Sequence, residues 1–532
     1  MIDDTEAPAA NLHAGPTRCL LVHPKFSRHS FWNYGDVCRL VGARYPAAPL
    51  GMLTVAALLP RHWELKLVDE NCTRLRDGDL DWADLVLTGG MLPQQRAILN
   101  LIEHVHAHGK AAVVGGPDPT SQPEKYAAAD FAVLGEGEVT VPLWLEDLRH
   151  GARRGVYAAE AKADMARAAV PRYDLINFGH YLHMGIQFSR GCPYDCEFCD
   201  VIELFGRVPR TKTPAHILAE LGRLYDLGYR GHVDFVDDNL IGNRKYAAEV
   251  LEAVREWQRT FGYPFYFSTE ASLNLARDEQ LLELMRDCDF RYVFIGIESP
   301  EAAVCDKSAK KLAANATIAD AVRTIGSYGM VVNAGFIMGF DNESARTAAD
   351  IVACIEDTGI CMAMVGTLYA LPNTRLTRRL REEGRLLEEG STIRDVETDV
   401  DNTTAGLNFI TARPREAILR DYVSVLSSIY RPRNYYRRVR QTGQLLRAQG
   451  RHKPSFWANV KAGWAFVKLS FHATVRPRLA PYYWRTILNL LKLKPQGLVA
   501  TVNLAAMFIH FHKQSRFIIA NVSRRFVPAP AA

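Results

Sequence analysis

No aspartate or glutamate follows Asp421 in this chain of 532 residues, and that absence divides it. Residues 431–532 hold 19 lysines and arginines and no acid, whereas 1–430 hold 45 basic and 59 acidic residues, a net of −14. The overall charge of +5 therefore does not describe a uniformly cationic protein. Long apolar runs are missing too. The stretch 497–512 has 16 residues and ends in His510 and His512, too short to span a bilayer. Paired cysteine spacings are absent from most of the chain. Cys19, Cys38, Cys72, Cys288, Cys305, Cys354 and Cys361 stand singly, as core thiols in a reducing cytoplasm do, and exclude a disulfide framework. The start, Met1-Ile2-Asp3-Asp4-Thr5-Glu6, lacks a basic n-region, so 1–17 is expected to be a loose tail and not a signal peptide. A composition of 48% hydrophobic and 23% charged residues excludes a disordered chain, and the length exceeds one core.

Three cysteines do cluster. They lie in Gly191-Cys192-Pro193-Tyr194-Asp195-Cys196-Glu197-Phe198-Cys199, a CxxxCxxC run directly after the apolar stretch 184–188. Three thiolates so spaced on one short loop hold three irons of a [4Fe-4S] cluster and leave the fourth iron open. S-adenosylmethionine can chelate an open iron through its amino and carboxylate groups. A structural zinc is the alternative, but zinc normally takes four tetrahedral ligands. The nearest further histidines, His183 and His216, are not at ligand spacing.

Short apolar runs alternate with helical patterns over 18–149, which predicts a parallel α/β domain with strands at 19–23, 64–68, 85–88, 111–114 and 131–134. A buried helix is expected at 49–59. Three of the strands end in glycine turns: Gly89-Gly90-Met91, Gly115-Gly116-Pro117 and Gly135-Glu136-Gly137. Glycines there let a ligand approach the backbone, although tight βα turns use them for structure alone. Residues 150–182 read as a linker. A second series over 183–370 predicts six strands, at 186–188, 233–236, 265–268, 292–296, 331–338 and 362–368, as in a partial (β/α)6 barrel. Reactive groups of such barrels sit at the carboxyl ends of the strands. A helical extension (371–435) and a basic helical tail (436–532) follow.

The phrases VDEN (68–71), GGPDPTS (115–121), CEFCD (196–200), FGRVPRTKTP (205–214), FVDDNLIGN (235–243) and ALPNT (370–374) carry a resemblance. Over about 18–435 the chain resembles the cobalamin-binding branch of the radical S-adenosylmethionine superfamily, in particular the hopanoid C-methylases and their relatives. The resemblance implies an α/β architecture: a Rossmann-like cobalamin-binding domain, a partial barrel and an α-helical C-terminal region. Cobalamin would lie against Gly89, Gly90, Met91, Gly115, Gly116, Pro117, Gly135, Glu136 and Gly137. One departure is clear. The Asp-x-His-x-x-Gly stretch that supplies a lower cobalt ligand is absent from the loop after the first strand, where His29 is the outside candidate. S-adenosylmethionine would meet Phe198, Asp237 or Asp238 at its ammonium, Glu270 at its ribose, and Glu298 and Asn333 inside the barrel. For the aspartates a helix cap is the plain alternative, and for Glu270 a solvated or salt-bridged side chain. The implied reaction is radical methylation of an unactivated carbon, with one S-adenosylmethionine methylating the cobalamin and a second giving the adenosyl radical. Members of the branch also act on tetrapyrroles or close rings, so ring closure or desaturation is a rival. A non-catalytic iron–sulfur protein is another. A reductase such as flavodoxin or ferredoxin is implied as electron donor.

Between 455 and 526 the tail alternates aromatic and aliphatic residues with single cations: Phe456, Trp457, Lys461, Trp464, Phe466, Lys468, Phe471. Helices lying in a membrane surface have this make-up. The expectation is an enzyme of the cytoplasm, peripheral on the inner face of the membrane, acting on an apolar or lipid substrate. Nucleic acid suits the aliphatic faces less well. A helical lid packed on the barrel is the bland alternative.

Overall fold

The computed structural model describes residues 17–26, 30–301, 304, 317–387, 406–446, 450–493 and 497–524. The expected tail 1–17, except Thr17, lies outside the described residues, as do His29 and Cys305. The first strands are β1 (Arg18–His23), β2 (Tyr45–Ala47), β3 (Glu64–Asp69), β4 (Leu85–Gly89), β5 (Ala111–Gly115), β6 (Phe131–Val133) and β7 (Gly155–Tyr157). All but β2 form one parallel sheet in the order β3-β1-β4-β5-β6-β7. Successive residues of β1 feed opposite cores. Leu20 and Val22 pack with Ile98 and Ile102 on one face, Cys19 and Leu21 with Trp144 on the other. Burial on both faces is why β1, β4 and β5 read as apolar runs, whereas the edge strand β3 alternates exposed and half-buried residues over its first four positions. The five expected strands are present. β7 adds a sixth from the stretch read as a linker, because three residues are too few for a periodic signal to register.

The second sheet begins with β8 (Tyr181–Ile186). A small hairpin follows, β9 (Ser189–Arg190) with β10 (Arg210–Thr211), and then β11 (Gly231–Phe235), β12 (Phe265–Ala271), β13 (Phe290–Glu298), β14 (Val331–Met338) and β15 (Ala363–Thr367). Its order is β15-β14-β13-β12-β11-β8-β2, all parallel. Two expectations are corrected. The first barrel strand runs over Tyr181–Ile186 and not 186–188, since His183 and Gly185 interrupt the apolar run that signals a strand. The sheet also has a seventh strand: Tyr45 pairs with Tyr181 and Ala47 with His183, so the segment around β2 leaves the first domain to join the barrel. Outward side chains such as Val233, Phe235, Phe265, Phe267, Val293 and Ile295 are closed in the core.

A partial barrel leaves a gap between its edge strands, here β15 and β2, and the C-terminal helices fill it. Helix Arg415–Ile429 lies on β15, with Tyr422 Oη donating to Val365 O at 3.0 Å and Tyr430 Oη, just beyond the helix, to Ala363 O at 2.6 Å. Helix Leu498–Ser523 packs both on that helix and on helix Gly35–Val41 beside β2. The Phe511 ring stacks on Tyr430 at 5.6 Å and on Phe31 at 4.8 Å. This part of the basic tail is therefore a wall of the barrel, as the lid alternative has it. Among the described residues no helix is long and apolar enough to cross a membrane.

Candidate active site

The cysteine loop is a closed ring. β9 and β10 pair antiparallel across its base, Lys212 N donates to Phe188 O at 2.8 Å, and Cys192 N donates to Gly206 O at 3.3 Å. Gly191 has φ +97°, and a Cβ there would lie 2.9 Å from Gly206 O, so only glycine closes the ring. Cys196 is buried, with Cys192 and Cys199 half-buried on the same loop.

Asp237 follows β11 and is itself buried. Its carboxylate accepts from Phe188 N at 3.1 Å, from Ser189 N, and from Ser189 Oγ at 2.5 Å. Burial pushes this carboxyl up to about 7 despite those donors. It ties the end of β11 to the base of the ring. Asp238 has a different setting. Half-buried, it faces Asp200, the residue after Cys199; burial and then that like charge push it up to about 6, and burial also raises Asp200. Two carboxylates beside the ring make a seat for an ammonium group. Asp200 lies in the phrase CEFCD, where nothing in the sequence sets it apart from an ordinary loop acid.

The ring is gripped from outside by helix Arg375–Glu382, part of the expected helical extension 371–435. Thr374 caps it, accepting from Thr377 N. Arg375 pairs with Asp195, Arg378 with Glu203 at 2.8 Å, and Arg379 with Glu197 at 3.0 Å, while Leu376 N donates to Glu197 O at 2.8 Å. The signal was legible as acids at 195, 197 and 203 against arginines at 375, 378 and 379, but pairing segments so far apart requires the fold. Phe198 packs edge-on against Phe340, centroids 5.7 Å apart, and Tyr194 Oη joins Ser272 Oγ (3.1 Å) and Asn274 Nδ2 (2.8 Å) beyond β12.

Strand alternation sends the remaining candidates inward. Asp234, Glu270, Phe294, Ile337 and Met364 keep partial solvent access on the inner face of the sheet, while their outward neighbours are buried. Glu298 is buried with φ +64° at a register shift between β13 and β14, a conformation that costs energy and recurs at functional sites. Asn333 is buried with Oδ1 lacking a hydrogen-bond partner. Deeper in, His232 Nε2 lies 2.7 Å from Ser268 Oγ, which donates to Asp234, and the His183 ring is 5.0 Å from His232. Burial lowers the pKa of both histidines and holds them neutral.

The carboxyl edges of the two sheets face each other. Glu136, after β6, has a side chain only 2% exposed and accepts from Arg190 at 2.9 Å and Arg210 at 2.7 Å, both at the base of the ring. Glu138 takes Arg190 at 2.7 Å, and Asn373 Nδ2 donates to Ser121 O at 2.8 Å. The first sheet's rim is formed by the predicted turns. A Cβ on Gly89 would lie 2.3 Å from Gly115 O, so this pair is already required by strand packing. Gly90, Gly116, Pro117 and Gly137 follow the strand ends half-buried, while Met91 and Gly135 are exposed. His23 Nδ1 and Thr88 Oγ1, at the ends of β1 and β4, are buried without partners. A ligand lying across this edge would meet these atoms.

The model of the Radical SAM superfamily matches residues 186–355, and a domain of unknown function, DUF4070, matches 374–523. The hopanoid C-2 methylase of Rhodopseudomonas palustris (strain TIE-1) is 35% identical over 78% of this chain and 77% of its own length. The chain belongs to the radical S-adenosylmethionine superfamily, in the branch of that methylase. An uncharacterized methyltransferase of Synechocystis sp. is 43% identical over 79% of this chain and 77% of its own. Among solved structures, the cobalamin-dependent S-adenosylmethionine radical enzyme OxsB has a TM-score of 0.59 at 14% identity, covering 97% of this chain and 82% of that one. TsrM from Kitasatospora setae, a radical S-adenosylmethionine methyltransferase, has a TM-score of 0.57 at 14% identity over 85% and 98%. At such identities the two structures speak for the fold. This radical S-adenosylmethionine enzyme thus pairs a Rossmann-like domain with a partial barrel, as its motifs imply.

Proposed function

We propose that this chain is a cobalamin-dependent radical S-adenosylmethionine C-methylase acting on an unactivated carbon of a hopanoid or similar apolar lipid. The observation that carries the reading is the opposition of the two carboxyl edges, fixed by Glu136 on Arg190 and Arg210, with the cysteine ring between them. Cys192, Cys196 and Cys199 would hold the [4Fe-4S] cluster, and the first sheet's rim would hold cobalamin. When bound, the cluster supplies the electron that cleaves S-adenosylmethionine, and cobalamin supplies the methyl group. The chain's own residues do the rest. Asp238 with Asp200 attracts the ammonium of S-adenosylmethionine, Phe198 and Phe340 cover it, and Glu270 and Asn333 receive its nucleoside. Trp32, Phe294, Ile337 and Met364 offer an apolar surface to the substrate, and helix Leu498–Ser523 keeps water from the open side. A soluble reductase such as flavodoxin or ferredoxin would deliver electrons, and the inner face of the membrane would deliver the lipid.

The test is mass spectrometry of total lipid and pigment extracts from a deletion strain and its complemented parent. Loss of a species one methylene heavier than a retained one supports methylation and names the substrate. A difference of two hydrogens points to ring closure or desaturation. With the reconstituted, reduced protein, S-adenosylhomocysteine should accompany 5′-deoxyadenosine; no cleavage of S-adenosylmethionine would sink the enzymatic reading.

A further inference from the structure

The basic tail divides into two kinds of helix. Helix Leu498–Ser523 buries Leu504, Phe508, Phe511 and Ile518 against the barrel. Helix Phe456–Thr474 does the opposite. Phe456, Trp457, Trp464, Val467 and Phe471 are 72, 71, 64, 54 and 70% exposed. At 3.6 residues per turn these five positions share one arc of roughly 100°. Lys461 and Lys468 border that arc, while Leu469 and Ala473 on the far side are buried against the protein. The helix is thus apolar on both sides, with one side covered.

The next helix, Ala480–Leu493, continues the feature. Trp484, Leu488 and Leu491, at i, i+4 and i+7, are 36, 59 and 48% exposed. Trp484 Nε1 donates to Thr474 Oγ1 at 3.0 Å, and Ser470 Oγ meets Tyr483 Oη at 2.8 Å, so the two helices form one hairpin. Around it stand the exposed Arg476, Arg478 and Arg485, within a stretch that contains no acid.

We propose that the hairpin 456–493, led by its first helix, docks the enzyme flat on an anionic phospholipid bilayer. Charge complementarity selects this occupant. A second copy of the chain meeting through the same face would set cations against cations, whereas an anionic leaflet accepts the lysines and arginines at its headgroups and the tryptophans at the interface. Helix Phe456–Thr474 also packs on helix Gly35–Val41. The segment before that helix carries Trp32, 41% exposed, with its ring 5.2 Å from Phe294 in the lumen. Docking therefore brings the lumen's aromatic border to the surface where an apolar substrate is stored. The purpose of docking, though not the docking, rests on the functional reading above.

The experiment is flotation of the full-length protein with vesicles of pure phosphatidylcholine or with a quarter phosphatidylglycerol. The expected result is binding to the anionic vesicles at least roughly tenfold tighter than to the neutral ones, weakened by salt. A W457S/W464S/F471S variant should lose roughly tenfold or more of that binding with unchanged circular dichroism. Quenching of tryptophan fluorescence by brominated lipid should fall in W464F, a variant too mild to affect folding. Failure of the natural chain to float, or binding indifferent to these substitutions, overturns the proposal. So does a dimer in sedimentation analysis that the triple variant abolishes. Vesicle binding needs neither cluster nor substrate, so docking without methylation would count against the functional reading alone.

Discussion

Arg379 forks onto Glu197, the residue two before the third cysteine of the ring, with Nε and Nη2 at 3.1 and 3.0 Å from its two carboxylate oxygens. The same guanidinium reaches Asp341 at 3.0 Å, beyond β14. One side chain thus joins the cysteine ring, the end of the barrel and the C-terminal extension. A bidentate, charge-assisted pair that is mostly shielded from water is worth about 2 kcal/mol. Arg379→Met should leave the fold intact but speed loss of iron to a chelator by roughly tenfold, followed at the cluster's visible absorption. Arg379→Lys keeps the charge and loses the fork, so it should rescue only in part. Equal rates in all three proteins would show that the ring holds without this grip.

Gly191 gives a sharper test of ring closure. Its φ of +97° lies in the region that side chains avoid, and Gly206 O and Val208 O stand 2.9 and 3.1 Å from where a Cβ would be. Gly191→Ala should open the base of the ring at a cost of about 1–2 kcal/mol. The expected outcome is unchanged far-ultraviolet circular dichroism with iron content per chain cut to about half or less. Full iron loading in this variant would mean that the three cysteines are placed independently of the turn.

Much of this was legible in the sequence, for a physical reason. Strands buried on both faces announce themselves as apolar runs, and the CxxxCxxC loop is a local motif; both survive the absence of a fold. What was hidden is short or long-range. β2 and β7 have three residues each, and β8 carries His183 and Gly185 in mid-strand. The grip of residues 375–379 on 195–203 joins segments that no periodicity connects. Asp237 and Asp238 are adjacent and chemically identical; only burial and neighbours separate a backbone clamp from a carboxylate that faces a second acid, Asp200. The tail's composition is nearly uniform along its length, yet helix Leu498–Ser523 is a wall and helix Phe456–Thr474 is exposed, a difference made by the barrel's gap.

The facing of the two sheets depends on Glu136. Its buried carboxylate holds Arg190 and Arg210, and Arg190 is held further by Glu138. Glu136→Ala leaves Arg190 on Glu138 alone and takes from Arg210 its carboxylate partner, a loss of about 3 kcal/mol for breaking a buried pair. Glu136→Gln keeps the shape with weaker bonds and should cost less. Because the cysteine ring stays closed through its own contacts, the glutamine variant is expected to uncouple the reaction: 5′-deoxyadenosine still forms while methylated product falls roughly tenfold. Chromatography of both products from one reaction checks this. A parallel fall of the two would instead make Glu136 a residue of general stability.

Asn333 offers a prediction in which stability and activity part. Its Oδ1 is buried without a hydrogen-bond partner, and in the parallel register the residue sits opposite Phe294. An unsatisfied buried acceptor costs about 1–3 kcal/mol, so Asn333→Leu, which has the same branching and removes that acceptor, should leave the chain as stable or more stable to denaturant. If Asn333 receives the nucleoside of S-adenosylmethionine, the leucine variant should raise KM for S-adenosylmethionine roughly tenfold while iron content holds. Asn333→Ser, which retains a hydrogen-bonding atom, should lie between. A leucine variant that is both more stable and fully active would place Asn333 outside the site, as a cost the fold carries without return.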